Sequence, residues 1–382
     1  MVKNRHILHL PGLLASLLAI LLTACSTAGD EEQHDAARKP SLLTVYVYSP
    51  EQAFAQHGHA AARRAETGQV QIAGAEGQRH SLQLWIYETE TGDPVGYLNT
   101  TEVAGLNMGE GATYQLPVSD DFAERKPHVD VYVQANVTPD NCGVGTLNET
   151  TTREELLTQA KISGHFGLTE RVRSVPGEGL PMAGKLTVQP VVGDAPALRV
   201  GTMSKTTVVP LTRAVSKLRF VFAKTTGEPA VSITSITMNA GMIPTEEYLF
   251  RLPESMTYNT LPAELLSATI SDIEETADPT NYIYFNQEAQ AYEDLIGEAG
   301  LTVEGPIYLR ESDRRLSGTI TYTIDGGEEQ TADFQMQAAG DFLRNHTWIV
   351  YAYYLGNGRL HVNTMYVKDW SEKEMTHSLY NW

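Results

Sequence analysis

Cysteine is nearly absent from this 382-residue chain, which contains only Cys25 and Cys142. Two cysteines form at most one bridge, so a disulfide framework cannot stabilise the fold. Cys142, in a turn-like stretch, is interpreted as an uninvolved residue rather than a reactive thiol. The chain must therefore be stabilised by apolar cores, and its length favours two domains.

Basic residues are also scarce. Lys and Arg total 28 against 47 Asp and Glu, for a formal net charge of -19. Such a surface repels both nucleic acid and anionic lipid headgroups. We therefore predict no nucleic-acid partner, and any attachment to a membrane requires something other than charge.

The usual signatures of catalysis are missing from the sequence. It has no Gly-x-Ser-x-Gly elbow, no Walker loop, no His-Glu-x-x-His helix and no zinc-spaced set of cysteines and histidines. His34, His57 and His59 are interpreted as solvated side chains rather than metal ligands. We expect no cofactor and no metal, and the sequence disfavours an enzyme.

The chain has one long apolar run, over residues 7–22, and Pro11 interrupts it. It is shorter than the roughly 20 residues that a membrane-spanning helix needs. Lys3 and Arg5 precede it, and it leads into Leu22-Thr23-Ala24-Cys25. This pattern predicts a lipoprotein signal peptide over residues 1–24, with lipid, including palmitate, attached to Cys25. Several acyl chains on one cysteine give stable membrane anchoring.

Beyond a polar tether over residues 26–41, strand patterns dominate. Leu43, Val45 and Val47 alternate with more polar residues, as in a half-buried strand. Further strands are predicted at residues 82–87, 129–137, 218–222, 233–238, 307–309 and 319–324.

Turn residues divide the later strands into hairpins. Asp325-Gly326-Gly327 and Gly356-Asn357-Gly358 each separate two strand patterns. The best helix candidate covers residues 153–160, where Thr152 and Glu155 have capping-box spacing. Many short strands and few helices predict an all-β protein with two β-sandwiches in tandem.

Domain limits follow from changes in pattern. Residues 25–64 are assigned to the tether and first strand, as a candidate propeptide. The apolar pattern thins out between residues 190 and 210, where proline and glycine accumulate. We therefore predict an N-terminal sandwich over residues 65–207 and a C-terminal sandwich over residues 208–382.

In addition to the lipobox, the stretch Leu22-Thr23-Ala24-Cys25, several short motifs occur in a characteristic order along the chain. They are the strand at 43–48 followed by Arg64-Ala65, the stretch 82–92, Leu180-Pro181-Met182-Ala183-Gly184, the stretch 210–218, and the C-terminal hairpin ending at Trp370. In this order the chain resembles the fimbrillin superfamily of Bacteroidetes, whose members build fimbriae from lipoprotein precursors. Ser26 and the acidic stretch 30–32 also resemble the pattern that sends Bacteroidetes lipoproteins to the outer face of the outer membrane.

The resemblance implies two transthyretin-like, Greek-key β-sandwiches and a role in a surface fimbrium, or pilus, that serves cell adhesion. It also implies that an arginine-specific protease cuts after the first strand, and that a strand from another subunit then fills the vacated groove. The expected partners are other fimbrial subunits, the outer membrane through the lipid on Cys25, and a surface receptor.

Within this scheme the processing bond is predicted at Arg64-Ala65, with Arg63 as a close competitor. Leu43, Val45 and Val47 are the predicted groove residues, and each contributes roughly 1.5 to 3 kcal/mol by burial. In the tail, Met375, His377 and Leu379 would share one face of an extended strand. His377 interrupts the apolar row, so this tail is a poor donor by its sequence.

Two other functions remain open from the sequence. The chain is alternatively a lipid-retaining anchor subunit that is not cut, or a glycan-binding surface lipoprotein. The rings of Trp85 and Trp348 are of a type that stacks on sugars, but their strand positions favour core packing. The N-terminal residue of the mature protein distinguishes these alternatives: an anchor or a glycan binder would begin at Cys25, and a cut subunit would begin at Ala65.

Overall fold

The computed structural model describes residues 41–48, 76–101, 111–192, 197–200, 209–252, 255–280, 301–336 and 342–367. All of them belong to one unit, Pro40–Trp382. Strands dominate this part of the chain. Its helices are short: α1 (Asp120–Arg125), α2 (Pro139–Cys142) and α3 (Arg153–Gln159).

The strands fall into two consecutive groups. The first group consists of β1 (Ser41–Tyr48), β2 (Leu82–Glu88), β3 (Pro94–Thr100), β4 (Gly111–Val118), β5 (Val129–Ala135), β6 (Lys161–Ser163), β7 (Met182–Val188), β8 (Val191–Val192), β9 (Ala197–Val200), β10 (Val209–Pro210) and β11 (Thr212–Arg213). The second consists of β12 (Ser216–Thr225), β13 (Val231–Met238), β14 (Glu246–Tyr248), β15 (Ala263–Glu264), β16 (Glu275–Thr276), β17 (Thr302–Leu309), β18 (Ser317–Ile324), β19 (Gln330–Gln335), β20 (Thr347–Tyr354) and β21 (Leu360–Val367).

The first sandwich packs a sheet containing β1, β4, β8, β9 and β10 against a sheet with the order β11-β7-β5-β2-β3. Alternation along each strand sends every second side chain into the space between the sheets. Leu43 and Leu116 enter this core from one sheet, and Leu84 and Val131 enter it from the other. The core is therefore aliphatic for most of its length.

The second sandwich is built in the same way. One sheet has the order β16-β12-β20-β21, and β17 also pairs with β12. The other sheet has the order β15-β13-β18-β19. Phe220 and Trp348 meet Ile320 and Phe334 in its core. The rings of Phe220 and Phe334 lie edge to face, with centroids 5.4 Å apart.

A third apolar cluster joins the two sandwiches. Tyr132, on the outer face of β5, packs edge to face on Phe250, with ring centroids 5.2 Å apart. Strand β6 of the first group also pairs with β14 of the second. Next to this ribbon the buried Arg344 bonds Glu247 at 2.7 Å and Glu311 at 3.0 Å. The sandwiches are thus connected by both apolar and charged contacts.

The predicted all-β class with two sandwiches is confirmed. The two hairpins are present, since β18 pairs with β19 and β20 with β21. Asp325 and Gly326 have φ of 51° and 66°, the left-handed conformation that a tight hairpin turn requires. The capping box of Thr152 and Glu155 starts α3 as expected.

The domain limits remain predictions, but strand pairing cuts across them. Strand β1, assigned to the segment before residue 65, and strands β10 and β11, assigned after residue 207, all pair within the first sandwich. The thinned pattern between residues 190 and 210 contains β8 and β9, which are too short to show a period.

Candidate functional site

The predicted site residues divide into two sets. Cys25, Arg63, Arg64 and Ala65 lie outside the residues that the structure describes. Leu43, Val45 and Val47 lie within them, on β1. The structure therefore bears on the groove, whereas the lipid and the cut stay predictions.

Strand β1 lies inside its sheet rather than at an edge. Along one side it pairs antiparallel with β4 over its full length, from Ser41 opposite Val118 to Tyr48 opposite Gly111. Along the other side it pairs parallel with β9 and then with β10. Removal of β1 would leave unpaired backbone N–H and C=O groups on β4 and on the pair β9 and β10. Such groups can be satisfied by another strand that binds in the same place.

The side chains of β1 complete the first core. Leu43, Val45 and Val47 are each 0% exposed, whereas the residues between them are half-buried. Across β4 they face Leu116, Tyr114 and Ala112 in turn, because paired residues lie on the same face of a sheet. We call the space that these three side chains occupy, between β4 and the pair β9 and β10, the β1 groove.

The connections of β1 differ at its two ends. At the start, the Ser41 hydroxyl donates a hydrogen bond to Asp120 Oδ1 at 3.1 Å, at the beginning of α1. After Tyr48, the described chain resumes only at Glu76, and the predicted bond Arg64-Ala65 lies between them. A cut there would leave β1 attached to the described fold only by non-covalent contacts.

Glu76 fixes the point at which the chain re-enters the fold. Its side chain binds Lys217 Nζ at 3.1 Å and accepts a hydrogen bond from the Tyr308 hydroxyl, and its backbone carbonyl accepts one from Arg213 Nε at 3.0 Å. Burial disfavours the charged form, but Lys217, Arg213 and Tyr308 outweigh it and lower the pKa of Glu76. Lys217 and Tyr308 belong to the second sandwich, whereas Arg213 lies on β11 of the first. Glu76 is therefore bonded to both sandwiches.

Tyr114 carries a buried hydroxyl on the strand that pairs with β1. Tyr114, opposite Val45, packs against the first core, and its hydroxyl oxygen is buried with no hydrogen-bond partner in the described part of the chain. Burial raises the pKa of Tyr114, and the positive charge of Arg79 opposes that shift only in part. The hydroxyl therefore stays protonated and retains an unused donor.

Other candidate residues are explained by packing. Cys142 is buried, and burial raises the pKa of its thiol to about 12, so the thiol is protonated and unreactive. Trp85 and Trp348 are each 1% exposed, which confirms core packing. Among the described residues, no group of three or more His, Cys, Asp or Glu could hold a metal ion. His57 and His59 lie outside those residues.

Sequence reasoning missed Glu76 and Tyr114. Glu76 stands between alanine and glycine, and nothing local marks it as buried. Tyr114 belongs to an alternation of Ala112, Tyr114, Leu116 and Val118 that predicts a strand, but its pairing partner, Val45, is 69 positions away in the chain.

No helix of the described residues is long and apolar enough to cross a membrane.

Comparison with known proteins gives similarity in fold alone. No protein-family model matches the chain, and no curated protein matches its sequence. A solved structure from Parabacteroides distasonis, described as a "putative cell adhesion protein", aligns with a TM-score of 0.50 and 13% identity over 85% of this chain and 96% of its own. The tip fimbrial protein Mfa3 from Porphyromonas gingivalis, with a C-terminal truncation, aligns with a TM-score of 0.48 and 12% identity over 86% and 99%.

Proposed function

We propose that this chain, which shares its fold with a protein assigned to cell adhesion, is a subunit of an outer-surface fimbrium assembled by donor-strand exchange. It is exported as a lipoprotein through Cys25 and cut after Arg64. Strand β1 then leaves, and a strand of another subunit takes its place. The fimbrium serves adhesion, and the chain carries out no catalysis.

The observation that carries this proposal is the position of β1. A strand with paired neighbours on both sides and three fully buried side chains is normally a permanent part of a core. Here it is joined to the rest of the described fold only through residues 49–75, which contain two consecutive arginines. A single cut in that segment turns a central strand into a removable one.

The groove would also set the register of its occupant. Eight backbone pairs with β4 fix the direction, and alternate pockets now filled by Leu43, Val45 and Val47 fix which residues point inward. A shift of one residue would turn the apolar side chains outward. Subunits joined in this way therefore assemble in one defined arrangement.

Substitution of the two arginines tests the proposal. Arg63→Lys and Arg64→Lys together keep the charge but remove the residue that an arginine-specific protease requires. The double variant should be exported, retain residues 25–64 and remain monomeric, while each single variant shows which bond is used. Normal maturation and assembly of the double variant would contradict the proposal.

One observation favours a second candidate, a glycan-binding surface lipoprotein. Tyr97 and Glu149 line a small cavity beside the edge strand β3, and an accessible aromatic ring with a carboxylate is suited to a sugar. Glycan pull-down with Tyr97→Ala as the control variant tests it. The lipid-retaining anchor is the third possibility, and for it the bond at Arg64 stays intact.

A further inference from the structure

We propose that Arg314-Arg315 is a second cleavage site for an arginine-specific protease, and that the folded second sandwich keeps it closed. The same protease thereby matures a folded subunit at Arg64 and cuts a subunit whose second sandwich is incomplete. This inference rests on the proposed function, because it concerns the protease that releases β1. Hydrolysis at the second site adds one water across the Arg315–Leu316 peptide bond, which leaves a carboxylate on Arg315 and an amine on Leu316.

The chain contains two double arginines, Arg63-Arg64 and Arg314-Arg315. The second pair lies in the connection between β17 and β18, and both of its residues are exposed. The side chain of Arg314 is 53% exposed. By residue type both pairs are targets for a protease that recognises arginine. Binding in a protease cleft also requires an extended backbone over several residues, so the conformation around the pair decides whether it is cut.

The backbone on both sides of the second pair is held by the second sandwich. Ser312 N–H donates to the Phe342 carbonyl at 2.8 Å, and Arg314 N–H donates to Ser312 Oγ at 3.1 Å. Beyond the pair, the Leu316 carbonyl accepts a hydrogen bond from Met336 N–H at 2.8 Å, and the Leu316 side chain is 0% exposed. The chain can become extended here only if these bonds break and Leu316 leaves the core.

The two arginine side chains are also engaged, although they are exposed. The guanidinium of Arg314 lies over the Tyr258 ring, with Cζ 4.3 Å from the ring centroid. The Tyr258 hydroxyl donates a hydrogen bond to Asp313, the residue before the pair. Arg315 Nε donates a hydrogen bond to the Met336 carbonyl. A protease must therefore remove an arginine from these contacts before it can bind the side chain in its own pocket.

The contacts that close the site come from three separate stretches of the second sandwich. Tyr258 precedes β15, Met336 follows β19 and Phe342 precedes β20. These stretches meet Arg314-Arg315 only when the sandwich has folded. Proteolysis tracks the population of open molecules when opening and closing are fast relative to cleavage. Cleavage at the pair therefore reports whether the second sandwich is complete.

Arg359 provides an internal comparison. It is exposed between β20 and β21, and the N–H of the next residue, Leu360, donates to the Tyr322 hydroxyl at 3.0 Å. This bond does not involve the contacts that close Arg314-Arg315. A change that opens only the connection between β17 and β18 should therefore leave Arg359-Leu360 uncut, whereas unfolding of the whole sandwich exposes both places.

Limited proteolysis of the full chain tests the inference. The chain is treated with an arginine-specific protease, and the new termini are identified over time by mass spectrometry. In wild type, cleavage after Arg314 or Arg315 should be at least about a hundredfold slower than cleavage after Arg63 or Arg64.

Two variants of Tyr258 should open the site to different degrees. Tyr258→Ala removes the ring and the hydroxyl and should speed cleavage at Arg314-Arg315 about tenfold, while Arg359-Leu360 stays uncut. Tyr258→Phe retains the ring, loses only the bond to Asp313, and should give about a threefold effect. Equal cleavage at the two places in Tyr258→Ala, together with no acceleration in Tyr258→Phe, would overturn the inference.

Two matched core truncations test whether the site reports on the second sandwich. Ile320→Ala, in the second core, should speed cleavage at Arg314-Arg315 about tenfold or more. Leu84→Ala, in the first core, should leave that rate unchanged within about twofold. Equal acceleration by the two variants would show that the site opens only when the whole protein unfolds, which would overturn the inference.

The same digests separate this inference from the proposed function. If wild type is cut after Arg315 as fast as after Arg64, the second site is not closed, and the inference is wrong while the processing bond stands. If wild type resists cleavage at Arg63 and Arg64, the proposed processing is wrong. A tenfold effect of Tyr258→Ala in that protein would still support the second site.

Discussion

The Glu76 carboxylate lies 3.1 Å from Lys217 Nζ, and both residues are almost fully buried. Glu76 is the first described residue after the segment that contains Arg64-Ala65, and Lys217 lies on the first strand of the second sandwich. This pair therefore holds the chain just beyond the proposed cut. We therefore expect the chain after Glu76 to stay in place when β1 leaves.

Glu76→Ala should destabilise the protein strongly. The substitution leaves Lys217 as a buried charge without this carboxylate, and removal of one member of a buried ion pair costs about 3 to 5 kcal/mol. Urea unfolding should show this loss in the free energy of unfolding. Glu170→Ala is the matched control: its side chain is 57% exposed, so the expected change is within about 0.5 kcal/mol. Equal effects of the two variants would refute the structural role of Glu76.

The lowered pKa of Glu76 predicts a pH dependence. A carboxyl group with a folded pKa below its ordinary value of 4.5 contributes stability above that value, and loses it as pH falls through the folded pKa. The free energy of unfolding of wild type should thus fall more steeply below about pH 4.5 than that of Glu76→Gln. Urea titrations from pH 3 to pH 7 measure the difference. Parallel curves for the two proteins would show that Glu76 titrates normally.

Leu43→Ala should weaken only the uncut protein. The leucine is completely buried in the first core, and such truncations cost about 2 to 5 kcal/mol. After cleavage and exchange β1 is gone, so assembled multimers should dissociate at the wild-type denaturant concentration. Leu116→Ala, on the opposite strand, should weaken both forms. Weakened multimers of Leu43→Ala would show that β1 remains in the assembly.

Tyr114→Phe should stabilise the uncut protein. It removes a buried hydroxyl that has no partner among the described residues and retains the ring. Because unsatisfied buried donors cost about 1 to 3 kcal/mol, we expect a gain of about 1 kcal/mol in the free energy of unfolding. A loss of similar size would mean that the hydroxyl is hydrogen-bonded after all.

Cys142 should be inert in the folded protein. Its thiol is buried and its pKa is raised to about 12, so almost no thiolate exists at pH 8. A chromogenic disulfide reagent should find no reactive thiol in the lipidated native chain and one in 6 M guanidinium. Rapid reaction of the native chain at Cys142, absent in Cys142→Ser, would contradict this.

The sequence was sufficient for features set by local pattern. The alternation of Leu43, Val45 and Val47, the glycine turns of the hairpins and the capping box at Thr152 all depend on residues within a few positions of one another. The structure has a strand, two hairpins and a helix at these places. Local patterns are sufficient here because turns, helix caps and strand alternation are determined by residues only a few positions apart in the sequence.

Features that depend on distant pairing could not be predicted. Val45 meets Tyr114, and Glu76 meets Lys217 and Tyr308, across separations that leave no periodic signal. The place of β10 and β11 in the first sandwich was also hidden, because two-residue strands show no alternation. These contacts are the ones that define the groove and its anchor.

The central claim is that β1 is cut away and replaced. Its most direct test is the N-terminal residue, together with the oligomeric state, of the mature protein recovered from the cell surface. We predict that the protein begins at Ala65 and runs as a ladder of multimers in mild denaturant. A protein that begins at lipidated Cys25 and runs as a monomer would contradict the claim.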